Sequence, residues 1–236
     1  MNSFTSQLSV DLLAVLEDAR NDESVRAVVL TGEGRCFSAG ADLRDPDRSA
    51  GPDATRLRQR RAIRSGPEMI RSIFEMNQIT IAAVNGPAAG AGANLALATD
   101  VVIAAESAYF LQAFTRIGLI PDAGGTYWLP RQVGFARAMG AALFAEPVSA
   151  RQAADWGMIW EAVPDDAFAE RWQGTPGWTG WMWVPRSGAG ASNEVYVVDA
   201  GQLHDQPVGA LETLALDHRL GDTEGVDPVA DRLQGL

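Results

Sequence analysis

Asp122 is the residue of this chain best placed to do chemistry. It lies in Ile120-Pro121-Asp122-Ala123-Gly124-Gly125-Thr126, downstream of the glycine and alanine run Asn85-Gly86-Pro87-Ala88-Ala89-Gly90-Ala91-Gly92-Ala93-Asn94. A third segment, Cys36-Phe37-Ser38-Ala39-Gly40-Ala41-Asp42-Leu43, has the same small-residue character and follows the apolar run Arg26-Ala27-Val28-Val29-Leu30-Thr31. Small residues let backbone approach a ligand closely. Two such turns and one acid suggest an oxyanion site with a base. A carboxylate partly desolvated by apolar neighbours can shuttle a proton near neutral pH. Asp122 carries a structural alternative, as the N-cap of a helix starting at Gly124.

Stepwise along the chain, the pattern predicts the elements that hold these segments. Leu8, Leu12, Val15, Leu16 and Ala19 recur at helical spacing after the potential caps Ser3 and Thr5, and Val28 to Leu30 form a short buried strand. Residues 55–76 read as helical with an interruption at Gly66-Pro67, and Ile79 to Val84 as a buried strand. The small residues from Ala89 to Thr99 read as a short helix, and Val101 to Ala104 and Ala108 to Leu111 as strands. Helices are expected from Gly124 to Gln132, Phe135 to Ala145 and Ser149 to Trp156, with Ser149 as N-cap and Gly157 as the stop. Alternating strands and helices define an α/β architecture.

The three segments, in this order and at these separations, resemble the crotonase superfamily of enoyl-CoA hydratases and isomerases. Within it the closer resemblance is to the 1,2-epoxyphenylacetyl-CoA isomerases of bacterial phenylacetate breakdown. That resemblance is carried by Gly90 to Leu97, by Phe114 to Thr126 and by Ala153 to Trp160, and it covers roughly residues 2 to 172. It implies a crotonase-like (ClpP/crotonase) spiral of ββα units and an acyl-CoA isomerase, with ring-1,2-epoxyphenylacetyl-CoA as substrate and oxepin-CoA as product. The amides of Ala41 and Ala91 would then form the oxyanion hole and Asp122 would be the catalytic acid-base. Ser38, Ala39, Asp42, Leu43, Ala89, Gly90, Asn94, Phe114 and Pro121 would line the substrate site. The two glutamates of the hydratases are not matched, since Asn94 and Phe114 occupy their positions, so hydration is disfavoured. Double-bond migration in an enoyl-CoA, or hydration in fatty-acid oxidation, remain enzymatic alternatives. Asn94 orients substrate or caps its helix, and Asp42 reads as a loop-turning residue more than a reacting one.

The rest of the sequence bounds the reading. A net charge of -11 opposes nucleic acid and anionic membrane surfaces as partners, leaving a small-molecule acyl-CoA. Gly90-Ala91-Gly92 lacks the remaining spacing of a dinucleotide fingerprint, and one cysteine without paired histidines supports no metal site. No cofactor is expected, the CoA thioester being the substrate. The lone Cys36 and the lack of a leader pattern imply a cytoplasmic protein. The run Arg56, Arg58, Arg60, Arg61 and Arg64 reads as a solvated helix face. Two departures from the family are visible: relatives carry a further hairpin ahead of Asn2, so the N-terminus looks truncated, and from about residue 173 the helical period is lost among Trp178, Trp181 and Trp183. The expected organisation is therefore a crotonase-like core, 1–172, and an atypical tail, 173–236, disordered or frame-shifted. The homotrimer or hexamer of the family would be weakened by that tail, and a catalytically silent acyl-CoA-binding fragment is the alternative of another class.

Overall fold

The computed structural model describes residues 2–22, 25, 27–44, 67–173, 181–187 and 193–199. The chain opens with strand β1 (Ser3–Phe4) and helix α1 (Ser6–Asn21). Of the two candidate caps the structure uses Thr5, whose Oγ1 accepts from the Leu8 amide at 3.0 Å. One face of α1 buries Leu8, Leu12, Leu16 and Ala19, the predicted stripe.

Strands β2 (Ala27–Thr31), β4 (Ile79–Val84) and β6 (Val101–Ala105) form the centre of a six-stranded sheet, parallel to one another. β9 (Glu161–Val163) adds in parallel beside β6. Parallel strands covered on both faces read as continuous apolar runs, because neither side meets water. Alternation of side chains then divides one run between two cores. Val28, Leu30, Ala82, Val84, Val102 and Ala104 enter the larger core with α1, while Val29, Ile81, Ala83, Ile103 and Ala105 face the smaller one. The smaller core is closed by Phe168 and Trp172 of α7 (Phe168–Gln173), a helix the periodicity did not indicate.

From the tail, whose sequence has no helical period, two paired strands are described. β10 (Trp181–Ser187) lies parallel to β2, and β11 (Asn193–Asp199) antiparallel to β10. Trp178 and the arginine run at 56–64 lie outside the described residues.

Three short pairings build the floor of the site. β1 pairs in parallel with β3 (Gly40–Ala41), and β5 (Ala88–Ala89) with β7 (Tyr109–Leu111), which pairs with β8 (Val148–Ser149). The helices around it are α2 (described over 67–74), α3 (Ala91–Leu97), α4 (Gly125–Val133), α5 (Phe135–Phe144) and α6 (Ala150–Asp155). Ser149 caps α6 through the Gln152 amide and Gly157, at φ +73°, ends that turn, both as predicted.

Candidate active site

The small-residue segments leave the carboxyl ends of the adjacent parallel strands β2 and β4, the edge where loops of open α/β sheets gather ligands. Asn85 ties the two exits together, with Nδ2 donating to the Gly32 and Gly34 carbonyls at 2.6 and 2.8 Å. Asn2 braces the first loop from below, with Nδ2 at 2.6 Å from the Cys36 carbonyl oxygen. The loops then zip together: the Ala89 amide donates to the Ser38 carbonyl at 2.9 Å, and the Gly90 amide to that of Leu111 at 2.8 Å.

Gly40 is the point of closest approach. Its φ is +81°, and a β-carbon there would sit 2.5 Å from the Ala89 carbonyl oxygen and 3.2 Å from the Ala91 amide nitrogen. Only glycine fits, so the strand end that carries Ala41 closes on the Ala91 amide although fifty positions separate Ala41 from Ala91. Ala91 is the first residue of α3, where a helical amide has no partner within its own helix. Ala39, Ala41, Ala89, Gly90, Ala91, Asp42 and Pro121 are all half-buried, forming a rim a ligand can reach.

Other predicted residues lie inside. Ser38 is buried, its hydroxyl donating to the Asn2 carbonyl at 2.7 Å and accepting from the Gly40 amide at 3.2 Å. Gly92 packs on that side chain with no room for a β-carbon. Phe114 is buried in the 3-10 helix Ala113–Ile117, with its ring against Gly90. Leu43 is exposed, and Asp42 Oδ1 accepts from the Arg44 amide at 2.9 Å, a turn of the kind expected of it.

Asp122 precedes a tightly wound stretch in which Ala123 has φ +48° and Gly124 φ +78°. Its carbonyl accepts from the Gly125 amide at 2.8 Å. Two expectations change here. The N-cap of α4 is Gly124 and not Asp122, and Asp122 is exposed instead of being wrapped by apolar neighbours, while the adjacent Ala123 packs against the core.

Asn94 is fully buried and neither caps α3, whose N-cap is Gly90, nor reaches the rim. Its Nδ2 donates to the Asp122 carbonyl at 2.8 Å and its Oδ1 accepts from Gln112 Nε2 at 2.8 Å. Gln112 was not singled out from sequence; an isolated polar residue between two apolar stretches carries no periodic signal. Its Oε1 is buried without a hydrogen-bond partner, which costs about 1–3 kcal/mol. Gly125 leaves room for this network, since a β-carbon there would fall 2.3 Å from Asn94 Nδ2.

Among the described residues no cluster of His, Cys, Asp and Glu could hold a metal, and no helix is long and apolar enough to cross a membrane. The loop-helix cradle on a parallel sheet defines an α/β protein with backbone amides and the carboxylates of Asp42 and Asp122 at a shared edge. Residues 1–175 match the family described as Enoyl-CoA hydratase/isomerase, and the chain belongs to that family, with its crotonase fold. It is 54% identical over 173 residues to a probable enoyl-CoA hydratase of Rhodobacter capsulatus, covering 73% of this chain and 65% of that protein. It is 45% identical to the 1,2-epoxyphenylacetyl-CoA isomerase of Escherichia coli, over 72% of this chain and 64% of the relative. The crystal structure of an enoyl-CoA hydratase from Bacillus anthracis superimposes with a TM-score of 0.66 at 34% identity, covering 72% of this chain and 64% of that one. The chain thus spans about 65% of the length of these curated relatives.

Proposed function

We propose that the protein is an isomerase of acyl-CoA thioesters, acting on ring-1,2-epoxyphenylacetyl-CoA. The observation that carries this reading is the placement of Asp122, since the other carboxylate on the rim, Asp42, accepts from the Arg44 amide within its own turn. Asp122 stands at the reachable edge, while Asn94 and Phe114, at the two positions where the hydratases keep glutamates, are buried and carry no acid. The Ala41 and Ala91 amides receive the thioester oxygen as negative charge develops on it. Asp122 takes a proton from the acyl chain and returns it to the ring, while the carbon–carbon bond shared by the epoxide and the six-membered ring opens to give the seven-membered ring, so atoms are rearranged and none are added. The acyl group, once seated over the exposed Asp122, desolvates it.

The 45% identity to the Escherichia coli isomerase supports this substrate. A second reading, water addition to an enoyl-CoA, draws on the 54% identity to the Rhodobacter protein. It lacks carboxylates at the two hydratase positions, where Asn94 and Phe114 stand. Self-association belongs to the same proposal: α5 exposes Phe135, Met139, Leu143 and Phe144, four large apolar side chains on one helix.

Purified protein is offered the epoxide ester and crotonyl-CoA, alone and as the Asp122→Asn variant. Expected are oxepin-CoA formation, little loss of the crotonyl absorbance, and a fall in turnover by orders of magnitude in Asp122→Asn with ester binding nearly intact. Rapid hydration would support the second reading. Binding without turnover of either ester would identify a silent acyl-CoA-binding protein.

A further inference from the structure

We infer that Asn94 is a positioning residue that sets the distance between the oxyanion amides and Asp122, with Gln112 holding it in place. The inference rests on the proposed roles of Ala91 and Asp122. Helix α3 carries both ends of this arrangement: Ala91 is its first residue, and Asn94 lies one turn further on. From there Asn94 Nδ2 grips the Asp122 carbonyl at 2.8 Å, a side-chain bond across 28 positions of sequence.

The orientation of the Asn94 amide is fixed by chemistry. A carbonyl only accepts, so Nδ2 must face Asp122 and Oδ1 must face Gln112, which in turn must present its own Nε2. This leaves Gln112 Oε1 buried and unpartnered. The helix itself cannot slide, because Gly92 rests directly on Ser38 and Gly125 directly on Asn94. Asp122 is exposed on a tightly wound loop in which Ala123 and Gly124 both have positive φ. A base on such a loop needs an anchor, since misplacement by about 1 Å can reduce turnover about 100-fold.

The test is a double-mutant cycle on the full chain, with kcat and KM for the epoxide ester and thermal midpoints recorded for each variant. Asn94→Ala should lower kcat by about 10- to 100-fold with KM little changed. In an Asp122→Asn background the same substitution should lower kcat no further, although its effect on the thermal midpoint persists. Gln112→Leu, which leaves Asn94 in place but removes its orienting donor, should give the same pattern at smaller amplitude and serves if Asn94→Ala does not fold. An equal fold-loss in both backgrounds, or wild-type kcat in Asn94→Ala or in Gln112→Leu, would overturn the positioning role while leaving Asp122 as base. Full turnover by Asp122→Asn would instead overturn the base assignment, and with it the reason for an anchor.

Discussion

Gly40→Ala tests the oxyanion arrangement most directly. At φ +81° any residue with a β-carbon is strained by about 1–3 kcal/mol. The new methyl would also lie 2.5 Å from the Ala89 carbonyl oxygen and 3.2 Å from the Ala91 nitrogen, both backbone atoms that can yield only by moving β5 and the start of α3. The displacement therefore falls on the proposed amide donors themselves. Losing the alignment of one such donor costs about 100- to 1000-fold in kcat. Gly34→Ala is the matched control: φ there is +68°, but nothing lies within 4 Å of a β-carbon. It should lower the thermal midpoint by a few degrees, at roughly 2–4 °C per kcal/mol for a chain of this size, and leave kcat unchanged. Gly40→Ala should lose more stability and, in the fraction that folds, 100-fold or more in kcat for the epoxide ester. Folded Gly40→Ala protein with the midpoint and turnover of Gly34→Ala would refute the argument that this glycine holds the two segments together.

Further outcomes follow from the same geometry. Burial raises the Cys36 thiol above the usual thiol range, with Arg35 opposing, and Sγ donates to the Pro87 carbonyl at 3.2 Å. The folded state therefore keeps its proton at a pH where the unfolded chain has lost it. The stabilisation is full below the unfolded pKa and falls as pH rises through the folded one, so alkaline denaturation curves should flatten in Cys36→Ala, and their coincidence with wild type would count against it. Ser149→Ala removes the acceptor for the Gln152 amide and should cost about 1 kcal/mol in urea unfolding, with kcat for the epoxide ester unchanged.

Much of this protein is written locally. The stripe from Leu8 to Ala19, the apolar runs of β2, β4 and β6, and the stop at Gly157 each follow from a few neighbouring residues, because period, burial and backbone freedom are local properties. The order of the glycine-rich segments and Asp122 was legible for the same reason, and with it the family. What the sequence left open was decided by contacts between distant segments. Strands β3, β5 and β8 have only two residues each, too few to display a period, and exist because partner strands offer hydrogen bonds. Helix α7 forms where the odd-numbered face of the sheet needed Phe168 and Trp172. Asn94 is the sharpest case: beside two glycine turns it reads as a site residue or a cap. Only its total burial, between a carbonyl 28 positions later and the amide of Gln112, gives it the different task of holding the loop on which Asp122 stands.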